Sequence, residues 1–163
     1  MKRVFKKIKS PIGDIYLVAS DEALEGLLYP QTWPKYKSRN SDLVEGDNAI
    51  IKKTISQLAE YWKGKRQEFD IPLNLKGTEF QIKAWKALTK IPFGKTKSYK
   101  EQALAIKAEK AVRAVGTANG RNPISIIVPC HRVIGANARL TGYAGGLTNK
   151  EFLLSLEKAS FKK

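Results

Sequence analysis

The chain contains one cysteine and one histidine, and they are adjacent: Cys130 and His131, in the run Pro129-Cys130-His131-Arg132-Val133-Ile134-Gly135. That removes the usual staples of a small protein. One cysteine makes no intrachain disulfide, and one Cys with one His is too few for a Cys/His zinc site. The fold must therefore rest on its apolar core, and 42% hydrophobic residues over 163 positions can build one. The same pair sets a thiol beside a general-base candidate, the minimum for a cysteine nucleophile. Arg132 adds positive charge next to the sulfur. The plain alternative is a small buried hydrophobe beside a satisfied loop histidine; the rest of the chain weighs against it.

Charge narrows the partner. Thirty Lys+Arg against fifteen Asp+Glu give +15 and a pI near 9.9. This favours a polyanion, nucleic acid first and an anionic membrane surface second. The start, Met1 to Lys7, is charged with no apolar stretch behind it, so it does not read as a signal peptide. No 18-residue apolar run exists to span a membrane. A soluble cytoplasmic protein with a reduced thiol is expected, with no membrane partner, no metal and no cofactor.

The first half reads as a small α/β unit. Ser10 to Asp14 is a turn signal, and Ile15, Leu17 and Ala19 alternate as in a strand. Leu24 to Tyr29 is a second strand candidate, stopped by Pro30. Residues 31–47 are polar and loop-like. Ile51, Ile55, Leu58 and Tyr61/Trp62 recur at helical spacing up to Gly64. Phe69 to Leu75 reads as an extended linker. The expected fold is an α/β N-terminal domain over 1–75, a small antiparallel sheet plus helix, then a mostly α domain over 76–163 with a helix-turn-helix.

The second half carries three S/T-x-x-E/Q capping boxes, at Thr78, Ser98 and Thr148. They predict helices near 79–90, 99–107 and 149–159. A fourth spans about 109–119 and stops at Gly120. The pair 99–107 and 109–119 has helix-turn-helix spacing. An ordinary helical hairpin is the commoner use of that spacing. Here Val112, Val115 and Asn119 share one side of the second helix, while Lys110, Arg113, Ala114 and Thr117 share another that is small and basic. Small side chains allow close approach and cations meet phosphates; close packing on another helix is the alternative use.

Together these pieces resemble the O6-alkylguanine-DNA alkyltransferases over roughly Thr78 to Glu157. Pro129 to Gly135 is similar to that family's active-site signature. Arg113-Ala114-Val115-Gly116 with Arg121-Asn122-Pro123 is similar to its recognition helix and asparagine hinge. Phe93-Gly94 and Ser98-Tyr99 resemble the approach to its helix-turn-helix, Gly142 to Leu147 its substrate loop, and Lys150 to Leu154 with Glu157 its last helix.

The resemblance implies roles. Cys130 accepts the alkyl group from guanine O6 in one irreversible, single-turnover displacement. His131 is the base, through a bridging water, and Glu157 orients it. Tyr99 donates to the leaving guanine, and Asn122 ties the helix to the cysteine loop. Arg113 fills the gap left by a flipped nucleotide. Val128 and Cys130 supply pocket backbone, and Tyr143, Ala144 and Gly145 close over the base. Tyr99, Lys110, Arg113, Ala114, Thr117 and Arg121 face the duplex. The implied partner is double-stranded DNA containing O6-alkylguanine, met by a monomer. Three departures bear on substrate range: Ala144 where many members have Ser, Ser125 where some have Pro, and Asn119 at a position apolar in some. A non-catalytic binder of alkylated DNA is the alternative function, although such binders lack the cysteine. A thiol hydrolase is a weaker rival, because its histidine usually lies far away in sequence.

Overall fold

The structure, a computed structural model, describes residues 2–162. It divides into two compact units, one running to Leu75 and the other starting at Lys76.

In the first unit, β1 (Arg3–Ser10) and β2 (Gly13–Ser20) form an antiparallel hairpin with Val4 opposite Ala19 and Ile8 opposite Ile15. Gly13 turns it at a φ of 96°, a conformation glycine adopts without steric cost. β3 (Leu24–Leu28) pairs antiparallel with β2, with a bulge at Val18/Ala19. After α1 (Trp33–Arg39), the two-residue β4 (Val44–Glu45) adds to β1 in parallel. The sheet order is β3-β2-β1-β4, antiparallel except at this short edge. α2 (Ala49–Trp62) packs on β2 and buries Ile51, Leu58 and Tyr61; Asn48 caps it by accepting from Ile51 N. The opposite sheet face carries Val18, Leu28 and Leu43 packed against Phe5, Tyr16, Trp33 and Tyr36.

Two local expectations change here, and one strand is added to them. Residues 31–47 are not loop throughout: Pro34 sits in the first turn of α1, where its missing N–H costs nothing, and the Trp33 ring stacks on Tyr16 at 4.4 Å. Arg3–Ser10 is a full strand although its lysines masked the alternation. The segment before Leu75 is docked rather than a free linker, since Leu24 N donates to Pro72 O at 2.8 Å and Asn74 N to Leu24 O at 2.9 Å.

The second unit is mostly helical: α3 (Glu79–Leu88), β5 (Lys97–Ser98), α4 (Tyr99–Ala105), α5 (Val112–Gly120), β6 (Val133–Ile134) and α6 (Leu147–Leu156). The capping boxes at Thr78 and Ser98 both form, with Gln81 and Glu101 reaching back to the cap amides. The one at Thr148 does not. α6 begins two residues before the predicted start, behind Gly146 at φ 92°. β5 and β6 pair in parallel and bring the start of α4 beside the cysteine segment.

A buried polar junction joins the three helices α3, α4 and α5. Gln102 and Asn119 exchange reciprocal side-chain hydrogen bonds of 2.8 and 2.7 Å, Gln102 also donates to Ala84 O, and Trp85 Nε1 donates to Ala118 O at 2.8 Å. Asn119 therefore belongs to the interior, which accounts for a polar residue at a position read as unusual. Among the described residues no helix is long and apolar enough to cross a membrane, and no cluster of metal-ligating side chains forms.

Candidate functional site

The segment between α5 and Cys130 is a chain of tight turns. Asn122 Oδ1 accepts from Ile124 N at 2.9 Å, and its Nδ2 donates to Val128 O at 2.7 Å. Ile127 N donates to Ser125 O, closing a three-residue turn centred on Ile126, whose φ is 73°. That is a strained conformation for a β-branched residue. Cys130 N then donates to Val128 O around Pro129, at φ −82° and ψ 67°, the geometry of an inverse γ-turn. Val128 O thus receives both Cys130 N and the Asn122 amide. Two turns and one side-chain clamp fix the nucleophile candidate at the start of a 3₁₀ turn, Cys130–Arg132.

Cys130 lines a cavity of about 330 Å³ together with Tyr99, Gly116, Asn119, Gly120, Gly142, Tyr143 and Ala144. Tyr99 is the first residue of α4, and its hydroxyl oxygen accepts from Thr141 Oγ1 at 3.1 Å. Gly116 of α5 faces the Tyr99 ring. His131 and Glu157 are fully buried, with His131 Nε2 2.8 Å from Glu157 Oε2. The carboxylate fixes the tautomer: Nε2 carries its proton toward Glu157, which leaves Nδ1 as the basic nitrogen. Nδ1 has no hydrogen-bond partner among the described residues.

Arg132 corrects the sequence reading. Its guanidinium donates from Nε to Glu157 Oε1 at 2.8 Å, from Nη2 to Oε2 at 3.1 Å and from Nη1 to Ile91 O at 2.7 Å. It also lies 5.9 Å from the centroid of the Phe93 ring. Arg132 is therefore a bidentate partner of Glu157. Gly94, at φ 80°, packs where an added Cβ would lie 3.2 Å from Glu157 O, so Phe93-Gly94 walls this buried charge cluster.

Lys150 lies in α6, the helix that resembles the family's last helix in sequence. It is 1% exposed and donates to Val133 O at 2.7 Å and Thr141 O at 2.8 Å, tying the cysteine segment to the loop before α6. No sequence pattern signals a buried lysine. Gln102 and Thr141 are further polar members that sequence reasoning missed.

Burial governs the protonation of the cluster. It pushes the Cys130 thiol up, against opposing pulls from Asn122, Lys150 and Ser125. It pushes His131 down, against Glu157. Burial also brings Lys150 down to about 8, opposed by Cys130. For Glu157, burial pushes up but is overcome by His131 and Arg132, which hold it at about 2. The resting site is thus a neutral thiol and a neutral imidazole beside an ionised carboxylate.

Among the other predicted residues, Ser125, Val128 and Gly145 are buried beside the cavity without lining it; Gly145 O accepts from Asn149 Nδ2 at 2.9 Å. Lys110, Arg113, Ala114, Thr117 and Arg121 are all exposed, while Val115, Ala118 and Asn119 face inward. The small and basic side of α5 is therefore on the surface, with Gly116 and Gly120 of the same helix at the cavity.

A buried thiol opening on a base-sized cavity, backed by a carboxylate-held histidine, defines a site equipped for nucleophilic transfer to sulfur. Comparison with known proteins is consistent along the whole chain. Residues 4–75 match the ribonuclease-like domain of 6-O-methylguanine DNA methyltransferase, and residues 79–159 match its DNA binding domain. A methylated-DNA–protein-cysteine methyltransferase of Methanosarcina mazei is 51% identical, covering 95% of this chain and 97% of its own. The constitutive one of Bacillus subtilis is 42% identical, covering 94% of both. The crystal structure of Mycobacterium tuberculosis OGT in complex with DNA superposes with a TM-score of 0.86 at 47% identity, covering 95% of this chain and 92% of that one. The chain belongs to the 6-O-methylguanine DNA methyltransferase family.

Proposed function

We propose that this protein repairs double-stranded DNA by moving an alkyl group from O6 of guanine to Cys130, once per molecule. The observation that carries the reading is Cys130 on the cavity wall with the His131–Glu157 pair behind it. The His131 ring and Cys130 Sγ share no hydrogen bond, so a bridging water carries the thiol proton to Nδ1. Sulfur then attacks the alkyl carbon, the S–C bond forms and the C–O6 bond breaks. The electron pair leaves on guanine. Tyr99 accepts from Thr141, which leaves its own phenolic proton for the departing base. Glu157 stabilises the imidazolium, as in triad logic. The product is a thioether, and nothing regenerates the thiol.

A cavity of about 330 Å³ lies at the low end of the ~300–1,000 Å³ range for small-molecule sites, the scale of one base. The target nucleotide must therefore leave the stack, at a cost of a few kcal/mol. α4 and α5 act as a helix-turn-helix, α5 presents Ala114 and Thr117 to the minor groove, and Arg113 occupies the vacated position. Lys110, Arg113 and Arg121 meet phosphates or the groove. Residues 76–163 hold both DNA binding and transfer, and residues 1–75 form the companion α/β domain. The protein acts as a monomer in the cytoplasm, where a lone thiol stays reduced.

The test is transfer of a labelled methyl group from duplex DNA to protein. Wild type takes up label and Cys130→Ser does not, while duplex binding stays within a few-fold. Label on the Ser variant removes Cys130 as acceptor.

A further inference from the structure

A second concavity lies between α3 and α4 and shares no lining residue with the cavity at Cys130. Its volume is about 590 Å³. The apolar lining is Ala87, Ile91, Leu104, Ala105 and Ile106, with Leu104 52% exposed. Four lysines, Lys83, Lys86, Lys90 and Lys97, also line it. Lys83 and Lys86 stand three apart on α3, and Lys90 follows in the turn just past its C-cap Thr89. Lys83 pairs loosely with Glu79 at 3.5 Å and Lys97 with Glu101 at 3.8 Å. Glu101 is already engaged by Ser98 N at 2.9 Å. Lys86 and Lys90 form no ion pair among the described residues.

We propose that this groove docks an acidic peptide segment of a partner protein, one that carries apolar side chains between its carboxylates. Both halves of the lining select for it. The unpaired cations want anions, and four lysines around one groove repel one another until an anion arrives. The floor wants apolar side chains, which a phosphate backbone does not offer. Duplex DNA would satisfy the rim and leave Leu104 and Ile106 uncovered. A second copy of this chain is a poor occupant, because each copy carries 30 basic residues against 15 acidic ones. An apolar groove between helices with charged rims is also the geometry of helix-in-groove recognition. Gln102 also lines the groove from below, but the lysine and apolar side chains on which the proposal rests lie outside the site at Cys130.

The probe is a fluorescein-labelled twelve-residue peptide of alternating Asp/Glu and Leu/Phe pairs, read by anisotropy. An all-acidic peptide of equal charge and a fluorescein-labelled undamaged duplex serve as comparisons. The expected result is that the acidic-apolar peptide binds at least tenfold tighter than the all-acidic one. Its Kd rises at least tenfold in Lys86→Glu/Lys90→Glu and in Leu104→Glu. Methyl resonances of Ile91, Leu104 and Ile106 shift on binding. Both variants keep wild-type alkyl transfer and melting temperature, which separates loss of the groove from loss of the fold. The proposal is overturned by equal binding of the two peptides, by variants that leave peptide affinity unchanged, or by duplex DNA that competes with the peptide and weakens in the same variants.

Discussion

Glu157 meets His131 through one carboxylate oxygen at 2.8 Å and Arg132 through both, at 2.8 and 3.1 Å, with both acceptor atoms out of contact with water. One buried anion thus serves a neutral imidazole and a permanent cation. Arg132 balances the charge, so His131 can stay neutral at rest. When His131 takes up a proton, the same oxygen is already in place to stabilise it.

Replacing Glu157 with Gln removes that charge and keeps the shape. Arg132 is then a buried cation without its partner, an arrangement that costs ~3–5 kcal/mol. The variant should unfold at lower denaturant, and its alkyl-transfer rate per folded molecule should fall by at least tenfold. Retained wild-type rate in the folded fraction would remove Glu157 from the reaction.

Glu157 also sets an acid limit on stability. Its folded value, about 2, lies below the ordinary 4.5. A lowered carboxyl stabilises the fold above its unfolded pKa, and that stability is lost as pH falls toward the folded one. The contribution is on the order of 3 kcal/mol, disappearing between about pH 4.5 and 2. Denaturant titrations across this window should show the loss in wild type and a flatter profile in Glu157→Gln.

The rate should rise with pH through neutrality. Burial holds the Cys130 thiol above its ordinary value and His131 below 6.5. On the proposed mechanism His131 is then already the neutral base at pH 7, and thiol ionisation limits the rate. Single-turnover kinetics from pH 6 to 9 should climb, with no acid limb at 6.5. Lys150→Met removes a cation that pulls the thiol down and leaves Val133 O and Thr141 O without their donor. Its profile should move to higher pH. A profile that falls above pH 7 in wild type would contradict this.

Much of this unit was legible. The capping boxes at Thr78 and Ser98 state both the donor and the reciprocal acceptor, so they are local and survive folding. Cys130, His131 and Asn122 were legible because adjacency and motif place them together. The box at Thr148 failed because the turn at Gly146 admits the chain into helix earlier. The position of Arg132 was misread because adjacency in sequence says nothing of direction: a 3₁₀ turn sends it toward Glu157 and not toward the sulfur. Lys150 and Gln102 were illegible because their partners are backbone carbonyls and one amide brought close only by tertiary packing.

DNA binding should depend steeply on salt. If Lys110, Arg113 and Arg121 each release a phosphate counterion, the log-log slope reaches about −2.7. If Arg113 fills the place of an extruded base as proposed, Arg113→Ala should weaken repair of duplex DNA more than reaction with free O6-methylguanine, which needs no extrusion. Equal losses on both substrates would point to a fold defect instead.

Alkylation should destabilise the protein. Cys130 is 6% exposed and follows the strained turn at Ile126. Overpacking such a site costs ~1–3 kcal/mol, or about 2–12 °C in melting temperature for a chain of this size. Thermal melts of free and alkylated protein decide it; an unchanged midpoint would show that the cavity absorbs the group.

The most direct test is intact mass and peptide mapping after incubation with excess duplex DNA containing O6-methylguanine. One added methyl per molecule is expected, confined to the peptide that carries Cys130, with unmodified guanine left in the DNA and no second turnover. A methyl group on any other residue, an unchanged protein mass, or repair of more than one equivalent would contradict that expectation.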